Sequence, residues 1–174
     1  LWLRSQTPEA TREAGRLLGR ALGGQGIALG LCGPLGAGKT LFVKGLAEAL
    51  GLDPQQVSSP TFVIANEYPL GGGRLLAHVD LYRLSSDGEL EAIGFLDWLA
   101  AGNVVAVEWS DRLPHALPAE RLELRFEKEL GDSQRRLNAI ASGPGAQALL
   151  TRWRGEIESE ASAGLRVEPD APAP

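Results

Sequence analysis

An α/β fold with a mainly parallel central sheet, flanking helices and antiparallel additions is what this sequence predicts, and three consecutive features carry the prediction. Ile27 to Cys32 runs without a polar side chain, as a strand buried on both faces does. Gly33 to Thr40 is a glycine-rich turn, and Leu41 to Leu50 then repeats Phe42, Leu46 and Leu50 along one helical face. Strand, loop and helix thus follow one another without a break.

The other elements fall in order around that unit. Residues 7–22 place Leu17, Leu18, Ala21 and Leu22 at helical spacing behind Thr7-Pro8, where threonine caps and proline fits the first turn. Gly51 terminates the helix after the glycine-rich turn. Thr61 to Pro69 and Arg74 to Leu84 read as extended segments joined by Gly71-Gly72-Gly73, which predicts a hairpin. From Ser86 to Ala101 the apolar residues Leu90, Ile93, Phe95, Leu96, Trp98 and Leu99 are interrupted by Gly94, so two short helices are expected. Asn103 to Val107 is a second β-branched run, closed by Glu108. Leu122 to Phe126 and Arg136 to Ala141 read as outer strands, and Ala146 to Arg154 as a closing helix. One domain over residues 1–154 is expected, with residues 155–174 an acidic, proline-rich and disordered tail.

Composition narrows the function. The chain has 174 residues, 44% hydrophobic and 22% charged, as a single soluble domain has, and no apolar stretch approaches the roughly 20 residues of a membrane span. No signal segment opens it, so a cytoplasmic location is expected; it contains no methionine, so Leu1 need not be the natural start. The formal net charge is -5 and the lysines are Lys39, Lys44 and Lys128, which argues against direct tRNA or other nucleic-acid capture by this chain alone. Cys32 is the single cysteine and reads as a small buried hydrophobe. His78 and His115 show no metal-ligand spacing with each other or with Cys32 and read as structural imidazoles.

Gly33-Pro34-Leu35-Gly36-Ala37-Gly38-Lys39-Thr40 matches G-x-x-x-x-G-K-[ST], the P-loop signature. Glycine lets backbone N–H groups curl around phosphate oxygens, Lys39 neutralises the β and γ phosphates, and Thr40 offers a hydroxyl to Mg²⁺. The helix starting near Gly38, with Leu41 in its first turn, aims its positive end at the same anion. A nucleotide site that takes its phosphates together with Mg²⁺ is therefore expected between this strand and this helix. Such a site also needs an acid at a neighbouring strand end. Glu108 stands there, and Asp80, between Val79 and Leu81, must face a polar site or be buried unpaired at a cost of several kcal/mol. A structural salt bridge is the plain alternative for each.

Beyond the P-loop, the chain carries Ser59-Pro60-Thr61-Phe62 with Glu67-Tyr68, His78-Val79-Asp80-Leu81-Tyr82-Arg83-Leu84, and Val107-Glu108-Trp109. In this order and spacing they resemble the TsaE (YjeE) family, P-loop ATPases of bacterial tRNA threonylcarbamoyladenosine biosynthesis. The resemblance implies a P-loop NTPase fold with a mainly parallel sheet, ATP as the nucleotide, its hydrolysis, and partnership with TsaD and TsaB. It implies a mobile switch at Ser59-Pro60-Thr61 beside the γ-phosphate, Asp80 as an acid needed for hydrolysis, Glu108 in the magnesium shell and Trp109 near the nucleotide. From its chemistry alone, Thr61 either senses the phosphate or merely starts a strand, and Trp109 either stacks on a base or packs in a core. Where many relatives continue Glu-Trp-Pro-Glu, this chain has Glu108-Trp109-Ser110-Asp111, which leaves Asp111 without an assigned role.

Two other readings stay open on the sequence. A small-molecule kinase would use the same cradle but usually closes an arginine-bearing lid, whereas residues 85–98 here are acidic, with Asp87, Glu89, Glu91 and Asp97. A nucleotide-binding adaptor would hold magnesium through Asp80 and Glu108 without activating water. No arginine finger announces itself; Arg83 is a candidate, and a surface ion pair explains it equally well.

Overall fold

The computed structural model describes residues 1–100, 102–129, 133–160 and 164–169. The first strand, β1 (Trp2–Ser5), leads into α1 (Pro8–Leu22), whose cap is the one expected: Thr7 accepts from the Ala10 N–H at 3.1 Å and Pro8 opens the first turn. Strand β2 (Ile27–Cys32) is buried at all six positions and feeds the glycine-rich turn and α2 (Lys39–Ala49). Strands β3 (Ala65–Gly71) and β4 (Arg74–Asp80) form the hairpin. Helices α3 (Asp87–Ala92) and α4 (Phe95–Trp98) are split at Gly94, whose φ of 72° an L side chain disfavours. Then come β5 (Val104–Glu108), β6 (Arg121–Lys128), β7 (Arg135–Ser142), α5 (Pro144–Ser159) and β8 (Leu165–Glu168).

These strands make one eight-stranded sheet in the order β3-β4-β5-β2-β6-β7-β1-β8. The middle four, β4-β5-β2-β6, are parallel, and antiparallel pairs extend the sheet on both sides. β2 therefore has a parallel neighbour on each side, which is why it is apolar throughout. Alternation along β4 and β5 assigns their faces. Leu76, Val104 and Ala106 join the main core under α1, α2 and α5, while Ala77, Val79, Val105 and Val107 join a second core with Leu90, Phe95 and Trp98. His78, Asp80 and Glu108 continue the first face, so the polar end of that face lies beside the start of α2.

Three expectations need correcting. The chain past Gly155 is not a tail throughout: α5 runs on to Ser159, and Leu165–Glu168 pairs antiparallel with β1, while residues 161–163 and 170–174 lie outside the described residues. β6 is not an outer strand, because it lies between β2 and β7. Thr61 to Ile64 is a turn rather than the start of a strand, closed by the Ile64 and Val63 N–H groups donating to the Pro60 carbonyl at 2.7 and 3.0 Å.

Helices α1 and α2 cross at backbone distance. A Cβ on Gly45 would lie 1.8 Å from the Arg12 carbonyl oxygen, and one on Gly15 2.0 Å from that of Phe42. This close crossing sets the height of α2, and with it the phosphate loop, over the sheet. No helix among the described residues is long and apolar enough to cross a membrane.

Candidate nucleotide site

The loop between β2 and α2 takes its shape from positions where only glycine fits. Gly33 has φ 135° and a Cβ there would meet the Phe126 carbonyl at 2.4 Å; Gly36 and Gly38 have φ 70° and 101°. Ala37 is buried, whereas Leu35 is 82% exposed. From outside the sequence motif, Arg135 at the start of β7 donates through its guanidinium to the Gly36 and Ala37 carbonyls at 3.0 and 3.1 Å. Only the folded ladder brings it there, so no local signal marked it.

Leu35 to Leu41 line a cavity of about 350 Å³ whose other walls are Ser59, Thr61, Asp80, Glu108 and Trp109. The candidate phosphate-binding, metal and catalytic residues other than Gly33 and Arg83 are therefore at one cavity, and Gly33 accepts from Lys39 Nζ at 2.7 Å. Lys39 also donates to the Pro34 carbonyl at 3.1 Å and stands 4.1 Å from the centre of the Trp109 ring. Burial pushes the Lys39 ammonium below the ordinary lysine value, and the carboxylates of Glu108, Asp80 and Asp111 offset only part of that shift.

Asp80 and Glu108 are buried at the carboxyl ends of β4 and β5. Glu108 Oε1 accepts from Thr40 Oγ1 at 2.7 Å and from His78 Nε2 at 2.8 Å. Burial works against this carboxylate, but the hydrogen bonds from His78 and Thr40 and the charge of Lys39 prevail, and its pKa lies below the ordinary glutamate value. Asp80 accepts from Thr61 Oγ1 through Oδ2 and from the Tyr82 N–H through Oδ1, both at 2.8 Å. Ser59 Oγ and Thr61 Oγ1 are also 2.8 Å apart.

The backbone is strained on both sides of these acids. Ile64 (φ 71°) and Trp109 (φ 58°) are the non-glycine residues in the left-handed region among those described, and for a β-branched residue that is a true outlier. Ile64 closes the turn carrying Thr61, and its carbonyl accepts from the Asp80 N–H at 2.8 Å. Trp109 is half-buried against the second core and packs on Tyr82 with ring centres 5.1 Å apart, so it serves as packing and as cavity wall together.

His78, read from the sequence as a structural imidazole, is fully buried and bonded through Nε2 to Glu108. Arg83 is exposed and outside the cavity wall, as is His115 in the single turn Pro114–Ala116. Cys32 is buried, 3.0 Å from Ser110 Oγ, with its thiol pKa raised by burial.

The family model described as threonylcarbamoyl adenosine biosynthesis protein TsaE matches residues 5–137. The tRNA threonylcarbamoyladenosine biosynthesis protein TsaE of Streptomyces coelicolor is 44% identical over 124 residues, which is 70% of this chain and 82% of that protein. The protein of the same name from Bacillus subtilis is 39% identical over 140 residues, 80% of this chain and 85% of its own length. The crystal structure of YdiB from Bacillus subtilis superposes with a TM-score of 0.68 at 31% identity, over 88% of this chain and 93% of that one.

Proposed function

The chain belongs to the TsaE family, and from that premise we propose that it binds MgATP at the Gly33–Thr40 loop and hydrolyses it to drive the TsaD–TsaB pair in tRNA threonylcarbamoyladenosine biosynthesis. The observation that carries this reading is the meeting of Thr40 and Glu108 at 2.7 Å on the cavity floor, with Asp80 as the register partner of Glu108 on the next strand.

Thr40 and Glu108 suit Mg²⁺, because a hydroxyl and a carboxylate are the hard oxygen donors that ion takes beside phosphate and water. Thr40 and Glu108 would hold the ion, which would supply positive charge against the phosphate oxygens. Lys39 would exchange the Gly33 and Pro34 carbonyls, its present acceptors, for phosphate oxygens. Thr61 is the switch: turning its hydroxyl from Asp80 toward the γ-phosphate would free Asp80 Oδ2 to orient a water. That water attacks the γ phosphorus as the bond to the β–γ bridging oxygen breaks, giving ADP and inorganic phosphate. Loss of the γ-phosphate then returns Thr61 to Asp80.

Residues on the Thr61 turn give the switch a surface through which to act. Phe62 and Val63 are 87% and 63% exposed beside the hydroxyl that changes partner. Ordering and release of that turn would present and withdraw them from the TsaD–TsaB pair. Phosphate release measured with and without TsaD and TsaB tests the reading. Slow basal turnover that rises with both partners is expected; turnover indifferent to them, or labelled γ-phosphate recovered on a small acceptor, would refute it.

A further inference from the structure

We infer that His78 is a positioning residue for Glu108, fixing its carboxylate from the rigid side of the site; the inference rests on the assignment of Thr40 and Glu108 to the metal. Glu108 Oε1 takes two hydrogen bonds from opposite kinds of support. One comes from Thr40, in the first turn of α2 next to the phosphate loop; the other comes from His78, fully buried in the middle of the sheet. The fixed donor is the histidine.

Register explains how the imidazole reaches. His78 lies directly opposite Ala106, and Glu108 is two residues further along the same face of β5. Diagonal neighbours of this kind are within reach of long side chains, and the small Ala106 leaves the ring its path. Because an ionised carboxylate only accepts, Nε2 must carry the hydrogen, whichever state the other nitrogen is in.

That other nitrogen is the second observation. His78 Nδ1 is buried and has no hydrogen-bond partner among the described residues, so the ring's polar anchorage is the Glu108 bond. A buried polar atom left unpaired is unfavourable, and a strand position between two cores would be satisfied more simply by leucine or valine. Holding Glu108 is what the imidazole supplies that an apolar residue cannot. Partners that orient a metal-binding group commonly change metal affinity by about 10–100-fold when removed.

The test compares His78→Leu with His78→Gln, whose amide N–H can replace the Nε2 donor, by calorimetric titration with ATP in Mg²⁺ and with ATP in a chelator. His78→Leu is expected to weaken MgATP binding about tenfold or more and to leave metal-free ATP binding within about twofold; His78→Gln should recover most of the loss. A folded His78→Leu protein that binds MgATP like the wild type overturns the inference, as does equal loss with and without Mg²⁺. Wild-type affinity indifferent to Mg²⁺ would instead remove the metal assignment beneath it. Should His78→Leu not fold, nitrogen-15 spectra of the wild-type imidazole decide: an Nε2–H resonance that Glu108→Gln leaves unmoved overturns the proposal, and one that shifts upholds it.

Discussion

Asp80 and Glu108 stand opposite each other across the β4–β5 ladder, and each is held by a threonine hydroxyl, Thr61 for the first and Thr40 for the second. The two threonines sit on different segments. Thr40 belongs to the helix that follows the phosphate loop, Thr61 to the turn ahead of β3. One acid is thereby tied to the helix behind the phosphate loop and the other to the turn proposed to switch.

Thr61→Val should separate those roles. It removes a hydrogen bond to a buried carboxylate, worth about 1.5–3 kcal/mol, and it removes the hydroxyl proposed to sense the γ-phosphate. ATP binding is expected to stay within a few-fold of wild type while partner-stimulated phosphate release is lost, and Thr61→Ser should keep both. Undiminished release by Thr61→Val would exclude the switch.

Arg135 bonds two carbonyls of the phosphate loop. Loop N–H groups can gather around an anion only when the carbonyls between them are turned elsewhere. Arg135→Ala is expected to weaken nucleotide binding by about tenfold, or about 1.4 kcal/mol, with Arg135→Lys intermediate because it keeps a point charge without the fork. Calorimetric affinities of the three proteins check this.

Protonation of Glu108 couples the site to stability. Its folded pKa is depressed, so its contribution is present above the unfolded glutamate value and is lost as pH falls through the lower folded value. Wild type is therefore expected to be more stable than Glu108→Gln near pH 7, with a gap that shrinks below about pH 4.3. Urea unfolding of both proteins at stepped pH measures it; a gap that widens on acidification contradicts the assignment.

The α1–α2 crossing makes a sharper prediction from a pair of glycines. Gly45→Ala would gain about 1 kcal/mol of helix propensity, yet its Cβ would fall 1.8 Å from a backbone oxygen, forcing the helices apart. Overpacking of about 2–3 kcal/mol outweighs that gain, and for a chain of this length Tm should fall by roughly 2 to 8 °C. In α5, Gly155 has nothing among the described residues within 4 Å of an added Cβ, so Gly155→Ala should stabilise the protein. Two thermal melts decide the pair.

The centre of the fold was legible because its sequence signals are local. An apolar run, a glycine-rich turn and an amphipathic helix are adjacent in the chain, and Asp80 and Glu108 end their own strands. β1 and β8 were not legible, since four residues are too few to show alternation and they are strands only through each other and β7. Thr61 to Ile64 misled because these residue types favour strands, while the hydroxyl bond to Asp80 and the left-handed Ile64 impose a turn. The bonds from His78 and Arg135 depend on strand register, which no single segment encodes.

Calorimetric titration of the folded chain with MgATP, repeated on Lys39→Ala and Glu108→Ala, tests the central claim most directly. Saturable one-to-one binding is expected for the wild type, with loss of binding in Lys39→Ala and loss of its Mg²⁺ dependence in Glu108→Ala. Absence of MgATP binding by the folded wild type, or binding that neither substitution changes, would contradict the account.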